Sequence, residues 1–223
     1  MRPKPAILFD VDGTLIDTVD FHAEAWQKAL AHFGVHVRYQ DVRAQIGKGG
    51  DQLLPVFLTK AQIAELGEKL EEWRTALYKR EYMPRAQPFP KVRELVEELR
   101  RRGIRVALAS SAKSDELKFY ESLLGIPDLI DAETSKDDAA RSKPHPDIFA
   151  AALAKAGGDK KHTVVIGDTP WDAIAARRLG VRAVGVLCGG FSEADLRESG
   201  CERIYRDPAH LLDRLEEWAP IQR

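Results

Sequence analysis

From about residue 86 onward the chain alternates short, unbroken apolar runs with stretches of helical periodicity, and this alternation constrains the fold more than any other feature. A strand that is apolar at every position has no polar face to give to water, so it belongs in a parallel sheet covered by helices on both sides. Lys91 to Arg102 places Val92, Leu95, Val96 and Leu99 on one helical face, with Pro90 before it and Gly103 after it, as helices tend to open near proline and close at glycine. The pattern then predicts a strand over Ile104–Ala109, a helix from Asp115 to Leu124 closed by Gly125, and a strand from Leu129 to Ala132. A helix from Asp147 to Ala156 closed by Gly157, a strand from Thr163 to Ile166 and a helix from Trp171 to Leu179 closed by Gly180 follow. A strand from Arg182 to Val186, a short helix after Ser192 and a last helix near Ala209 to Trp218 complete the series. The fold class is α/β, a Rossmann-like doubly wound parallel sheet.

The first apolar run, Ala6–Phe9, belongs to the same sheet, yet the next sheet strand begins only at Ile104. One crossover needs one helix, but the intervening chain reads as almost wholly helical. Phe21, Ala25, Ala29 and Phe33 share a face, and His22, Trp26 and Leu30 lie on the adjoining one. A second helix is expected over Gly50–Leu58, and a third opens at Thr59-Lys60-Ala61-Gln62, which fits a capping box, and carries Ile63, Leu66, Leu70, Trp73 and Leu77. The expectation is an all-α cap, residues 17–85, inserted into an α/β core of residues 1–16 and 86–223.

Charge and composition exclude several classes. Lys and Arg number 34 against 35 Asp and Glu, a net charge of −1, so no global field recruits nucleic acid or an anionic membrane, and neither is expected as a partner. The longest uncharged stretch, Ala183 to Ser192, is ten residues, well short of the roughly 20 apolar residues that span a bilayer. Met1-Arg2-Pro3-Lys4-Pro5 leads through four apolar residues straight onto Asp10, leaving no room for a signal peptide, so the expected location is the cytoplasm. Cys188 and Cys201 lack CxxC spacing and are expected to be free thiols, which disfavours redox and zinc chemistry.

The polar residues that could carry chemistry fall where strands end, and ligands of open parallel sheets bind outside the carboxyl ends of the strands. The first strand ends in Asp10-Val11-Asp12-Gly13-Thr14, and in an extended chain Asp10 and Asp12 point the same way. Two such carboxylates raise each other's pKa unless a cation or donor lies between them; the plainer reading is a turn at Asp12-Gly13. Ser110-Ser111 follows the second sheet strand and offers a hydroxyl and backbone N–H groups to a phosphate oxygen, or simply a helix cap. Lys143 sits in Ser142-Lys143-Pro144-His145-Pro146, where prolines would fix a point charge that is otherwise solvated. Asp168 and Asp172 follow Val164-Val165-Ile166, with a helix cap as the alternative for Asp168. Four acids with one cation and a hydroxyl suit a hard divalent cation, and Mg²⁺ favours one or two carboxylates plus phosphate and water.

This ordered set, Phe9-Asp10-Val11-Asp12-Gly13-Thr14, then Ser110, then Lys143, then Gly167-Asp168 with Asp172, closely resembles the haloacid dehalogenase superfamily, in its Mg²⁺-dependent phosphatase and phosphomutase branch with a helical cap. The resemblance implies that Asp10 is the nucleophile, Asp12 the general acid and base, Ser110 a phosphoryl ligand, and Lys143 a neutraliser of charge. It implies metal ligation by Asp10, the backbone carbonyl of Asp12, and Asp168, with Asp172 nearby. The dehalogenases it resembles lack an Asp at the position of Asp12, so carbon–halogen hydrolysis is disfavoured.

Substrate choice in such proteins is expected to come from the cap, where His22, Gln45, Lys48, Lys79 and Arg80 are candidates, Lys48 within Gly47-Lys48-Gly49-Gly50. Thr18, Asp20, Phe21, His22 and Trp26 resemble β-phosphoglucomutases, but the cap loop reads Gly47-Lys48-Gly49-Gly50-Asp51 where those mutases carry an arginine. The expected activity is hydrolysis of a small phosphorylated metabolite, of the phosphoglycolate phosphatase-like type. A sugar phosphomutase is the alternative, and a non-catalytic phosphate-binding regulator an alternative of another class. Monomer and homodimer are equally compatible with the sequence.

Overall fold

Every residue of the first apolar run is fully buried, and the chain around it explains why. The structure, a computed structural model, describes residues 4–220. Its elements in chain order begin with β1 (Ala6–Phe9), β2 (Ile16–Asp17), α1 (Val19–His32), α2 (Tyr39–Arg43), α3 (Gly50–Phe57), α4 (Lys60–Leu77), β3 (Gln87–Pro88), α5 (Val92–Arg101) and β4 (Arg105–Ala109). They continue with α6 (Ser114–Leu124), β5 (Ala132–Thr134), α7 (Asp147–Ala156), β6 (Thr163–Gly167), α8 (Pro170–Leu179) and β7 (Arg182–Val186). The chain closes with α9 (Glu193–Ser199), β8 (Arg203–Tyr205), α10 (Pro208–Asp213) and α11 (Leu215–Trp218).

Six strands form one parallel sheet in the order β5-β4-β1-β6-β7-β8, so β1 is central and covered on both faces. Alternate side chains feed two cores. Ile7, Phe9, Val106, Leu108, Val164 and Ile166 pack against α5, α6, α10 and α11, while Leu8, Ala107, Val165 and Ala183 pack against α7, α8 and α9. The register pairs Phe9 with Leu108 on one side and with Ile166 on the other, which brings the three strand ends to one edge. Gly125 and Gly180 close α6 and α8 at φ of 65° and 80°, a region side chains with a Cβ rarely adopt.

Between β1 and α5 the chain is helical, as its periodicity indicates. α1, α3 and α4 share an apolar cluster of their own around Trp26, Leu30, Leu53, Leu54 and Leu70. Thr59 and Gln62 form the capping box of α4. The chain enters and leaves this region side by side, through an antiparallel pair that joins Ile16 to Pro88 and Asp17 to Gln87. No described helix is long and apolar enough to cross a membrane. Cys188 and Cys201 are free thiols.

The structure corrects several boundaries. The strand expected over Leu129–Ala132 lies at Ala132–Thr134, because Asp131 occupies the preceding ladder position. Its N–H donates to the Val106 carbonyl at 2.7 Å and its Oδ2 accepts from the Val106 N–H at 2.9 Å, leaving Leu129 and Ile130 to pack as partly buried side chains. The last helix is two, broken at Arg214, whose φ of −115° and ψ of 24° leave the helical region. β2, β3, β8 and α2 were not foreseen, being two to five residues long, too short for a periodic signal.

Candidate active site

Asp10 extends β1 by one residue: its N–H donates to the Ile166 carbonyl at 2.8 Å, which holds the backbone straight and turns the carboxylate out over the strand ends. Lys143, 1% exposed, donates to Asp10 Oδ1 at 2.5 Å and to Asp172 Oδ1 at 2.8 Å. Burial alone would strip its proton, but the two carboxylates outweigh burial and hold the ammonium well above its usual pKa. Asp10 is pushed up to about 7, first by burial and then by Asp172 and Asp12, with Lys143 opposing.

Asp168 follows β6 at full burial. Thr14 Oγ1 donates to its Oδ1 at 3.0 Å, but its Oδ2 has no hydrogen-bond partner. Burial and the charges of Asp10 and Asp172 raise its pKa well above the ordinary carboxylate value. Two glycines give it room, since a Cβ on Gly189 would lie 1.7 Å from Asp168 Oδ2 and one on Gly13 2.4 Å. Asp172 sits at the third position of α8, where its Oδ2 accepts from the Thr169 N–H at 3.1 Å and hydroxyl at 2.5 Å as the capping box, while Oδ1 faces Lys143. Ligand atoms of Asp10, Asp168 and Asp172 all lie within 4.8 Å of one another. Three buried carboxylates, one with an orphaned oxygen, fit a hard divalent cation.

Asp12 faces the helical region instead. Thr18 Oγ1 donates to its Oδ1 at 2.7 Å and His22 Nε2 lies 2.8 Å from the same oxygen. The Arg74 guanidinium donates to His22 Nδ1, and since a guanidinium never accepts, the proton of His22 resides on Nε2, aimed at Asp12. The imidazole stacks on Tyr78 at 4.1 Å with the rings 7° from parallel. Tyr78 opens a π-helical turn that follows α4 directly, the kind of local widening that re-aims side chains at functional sites. Burial opposes the ionised form of Asp12, but the imidazole and the Thr18 hydroxyl outweigh it and pull the carboxyl down to about 2.

Ser110 lies fully buried at the end of β4, its Oγ 3.5 Å from Asp12 Oδ2 and accepting from the Ala112 N–H at 3.0 Å. One cavity of about 80 Å³ brings Asp10, Asp12, Ser111 and Lys143 together with His22 and Lys48. Lys48 Nζ donates to Gln45 Oε1 at 2.6 Å and lies 3.9 Å from the Trp171 ring centroid. Lys79 and Arg80 do not reach the cavity: they pair at the surface with Asp115 and Glu81. Gln45 touches it only through Lys48.

Residues to which the sequence assigns no role complete the site. Thr14 and Thr18 anchor the carboxylates, and Arg74, Glu71, Glu116 and Lys136 line the cavity. Glu71 and Lys136 form an ion pair of 2.5 Å from α4 to the segment after β5, and the Ser142 N–H donates to Asp51 Oδ2 at 3.1 Å. On the far side, Arg43 donates to the Gly189 carbonyl at 3.0 Å. Thr14 lies within the acidic motif and Thr18 six residues past Asp12, in the stretch that resembles β-phosphoglucomutases, so motif reading reaches both. Arg74 and Glu116 stand on helix faces whose charged residues look alike in sequence.

A model of the family described as haloacid dehalogenase-like hydrolase matches residues 4–180. The chain is 29% identical to the "Probable phosphatase IndB" of Dickeya dadantii (strain 3937), over 96% of this chain and 91% of that protein. It is 28% identical to a phosphoglycolate phosphatase of Caulobacter vibrioides, over 89% of this chain and 85% of that one. Among solved structures, a hydrolase from Pseudomonas syringae is 31% identical and superimposes with a TM-score of 0.86, covering 97% of this chain and 100% of its own. The family model spans β1 to α8, the stretch that supplies Asp10, Asp12, Ser110, Lys143, Asp168 and Asp172, and the chain accordingly belongs to the haloacid dehalogenase-like hydrolases.

Proposed function

We propose that the protein is a Mg²⁺-dependent phosphatase that hydrolyses a small phosphorylated metabolite through a covalent phosphoryl group on Asp10. The observation that carries this reading is the division of labour between two adjacent carboxylates. Asp10 is clamped by Lys143 beside two further acids, whereas Asp12, two residues on, is held by Thr18 and His22. A site that only bound phosphate would have no use for the second carboxylate.

Asp10 and Asp168 would hold the cation with the backbone carbonyl of Asp12, and Asp172 would stand beside it; Mg²⁺ there supplies positive charge that ionises Asp10 and draws charge from the phosphoryl oxygens. Lys143 keeps the Asp10 oxygen oriented and neutralises charge on the phosphate. An Asp10 oxygen attacks phosphorus, and the ester P–O bond breaks as Asp12 gives its proton to the leaving oxygen. That proton has to be taken up from solvent water as the substrate binds, because Asp12 is held ionised in the free protein; the negative charge of the arriving phosphate favours the uptake. Asp12 then takes a proton from water as the water oxygen attacks phosphorus, releasing inorganic phosphate and restoring Asp10. Ser110 and the N–H groups after it receive the phosphoryl oxygens.

Residues 17–85 would act as a cap over a core of residues 1–16 and 86–223, closing the cavity to bulk water. The paired crossing at β2 and β3, the separate apolar cluster and the ion pair from Glu71 to Lys136 support that division. A phosphomutase reading is weaker, because Lys48 is engaged by Gln45 and Trp171 and presents a point charge in place of a bidentate fork. Turnover of p-nitrophenyl phosphate with Mg²⁺ tests the hydrolase reading: EDTA and Asp10→Asn should each abolish it, and full activity in Asp10→Asn would refute the covalent route. Conversion of a hexose 1-phosphate to its 6-phosphate without phosphate release would favour the mutase.

A further inference from the structure

Two buried tyrosines join the helical region to α6, and one of them carries the His22 imidazole on its ring face. Tyr78, the first residue after α4, and Tyr120 of α6 are both fully enclosed, and their hydroxyls meet at 2.5 Å. Glu116, one turn before Tyr120 and 2% exposed, accepts from the Tyr120 hydroxyl through Oε1 at 3.4 Å. A hydroxyl has one proton to give, so Tyr120, having given its own to Glu116, accepts from Tyr78. Burial holds both phenols far above their ordinary pKa, and each keeps its proton. The bonds therefore run one way, from Tyr78 through Tyr120 to Glu116.

Phosphoryl transfer makes no direct use of these hydroxyls, yet the bridge leads to the group that aims at Asp12. Arg74 and Asp12 hold the imidazole of His22 at its two nitrogens, and two bonds in the ring plane leave the ring free to tilt about the line between them. The Tyr78 ring, stacked on His22 at 4.1 Å and 7° from parallel, resists that tilt. Tyr78 is fixed in turn at its hydroxyl end by Tyr120. Proton transfer is sensitive to such placement, since a misplacement of about 1 Å can cost about 100-fold in rate.

We propose that Tyr78 and Tyr120 are positioning residues for the acid step: their hydroxyl bridge, anchored on Glu116, holds the His22 imidazole in the plane from which Nε2–H meets Asp12, and so keeps the Asp12 carboxyl aimed at the leaving oxygen. This rests on the phosphatase reading, with Asp12 as the acid, and adds two residues that touch neither substrate nor metal.

Phenyl phosphate and p-nitrophenyl phosphate test it, because they are similar in shape and differ in how much the leaving oxygen needs a proton. Phenolate departs poorly without one, whereas the nitro group spreads the charge of p-nitrophenolate. The ratio of their kcat/KM values with Mg²⁺ therefore reads acid catalysis apart from folding and closure. Tyr120→Phe should lower kcat/KM for phenyl phosphate by about tenfold, a fraction of the roughly 10²- to 10⁴-fold that a positioned acid supplies, and leave p-nitrophenyl phosphate nearly unchanged. Tyr78→Phe, which keeps the stacked ring, should do the same. The double variant should lose no more than either single one, because the two hydroxyls act as one bridge. It leaves no unpaired buried hydroxyl, so it keeps the test open if a single variant folds poorly. Glu116→Leu should lower the ratio in the same way, and Glu116→Gln, which keeps an acceptor for Tyr120, should restore it. Asp115→Ala, which breaks the surface pair of Lys79 with α6, should leave the ratio as in the wild type. Equal losses on both esters, or a wild-type ratio in the double variant, overturn the proposal and leave the hydrolase reading standing. If the wild-type protein hydrolyses neither ester, the phosphatase reading falls and this inference with it.

Discussion

Lys143 keeps its charge at 1% exposure only because Asp10 and Asp172 face it, and they in turn depend on it. Removing one partner of a buried ion pair is far costlier than the pair is worth, because a bare charge remains in low dielectric. Lys143→Met should therefore lower stability by about 3–5 kcal/mol in metal-free protein, measured by urea unfolding. Added Mg²⁺ should recover part of that loss, since it brings positive charge back to the same carboxylates. A loss below about 1 kcal/mol would mean that the acids relax or stay protonated without help. This residue is also where motif reading was strongest: Asp10, Lys143 and Asp168 are legible because strand ends and local proline content restrict what they can do. Arg74 and Glu116 were not, since a helix carries many polar side chains and only packing reveals which of them faces a cavity.

Among the elements, α6 and β5 share an acidic contact with no catalytic use in this account. Glu121 of α6 is buried, its Oε1 has no partner, and burial together with Glu133 of β5 pushes its pKa from 4.5 up to about 8. The folded state thus binds a proton that the unfolded chain releases near pH 4.5. The interaction is harmless below that value, and stability falls as pH rises from about 4.5 to 8. Allowing for solvent screening, Glu121→Gln should stabilise by about 1 kcal/mol at pH 8 and by nothing at pH 4, read from paired thermal melts. Equal effects at both pH values would contradict this. The loop before α3 makes a second case. A Cβ on Gly49 would lie 2.0 Å from Ser142 Oγ and 2.6 Å from its Cβ, so turning the serine side chain cannot relieve the contact. Gly49→Ala should hold the helical region away from Lys143 and reduce kcat/KM by about tenfold with an unchanged melting temperature, a closure effect. An unchanged kcat/KM would show that this contact does not limit closure.

At the scale of the whole molecule, the α/β alternation was readable because each sheet strand buried on both faces must be apolar throughout, and each intervening helix keeps one apolar face. Asp131 shows the limit of that reading: its side chain takes the place of a ladder partner, which shifts β5 by hydrogen bonding that apolarity does not record. The gap between the first strand and Ile104 pointed to helices in the intervening chain, but their seating over the strand ends depends on long-range pairs such as Glu71 with Lys136 and Arg43 with Gly189, which no local pattern encodes. The fold places one carboxylate under the core's control and its neighbour under the helical region's. The central claim is that phosphoryl transfer passes through Asp10. It is tested most directly by quenching the protein in acid during turnover of p-nitrophenyl phosphate with Mg²⁺ and locating the phosphoryl group by peptide mass spectrometry. The account predicts a single phosphorylated peptide carrying Asp10, retained longer when Asp12→Ala removes the base for its hydrolysis. Sustained turnover with no phosphorylated protein under either condition, or the group on another residue, would contradict it.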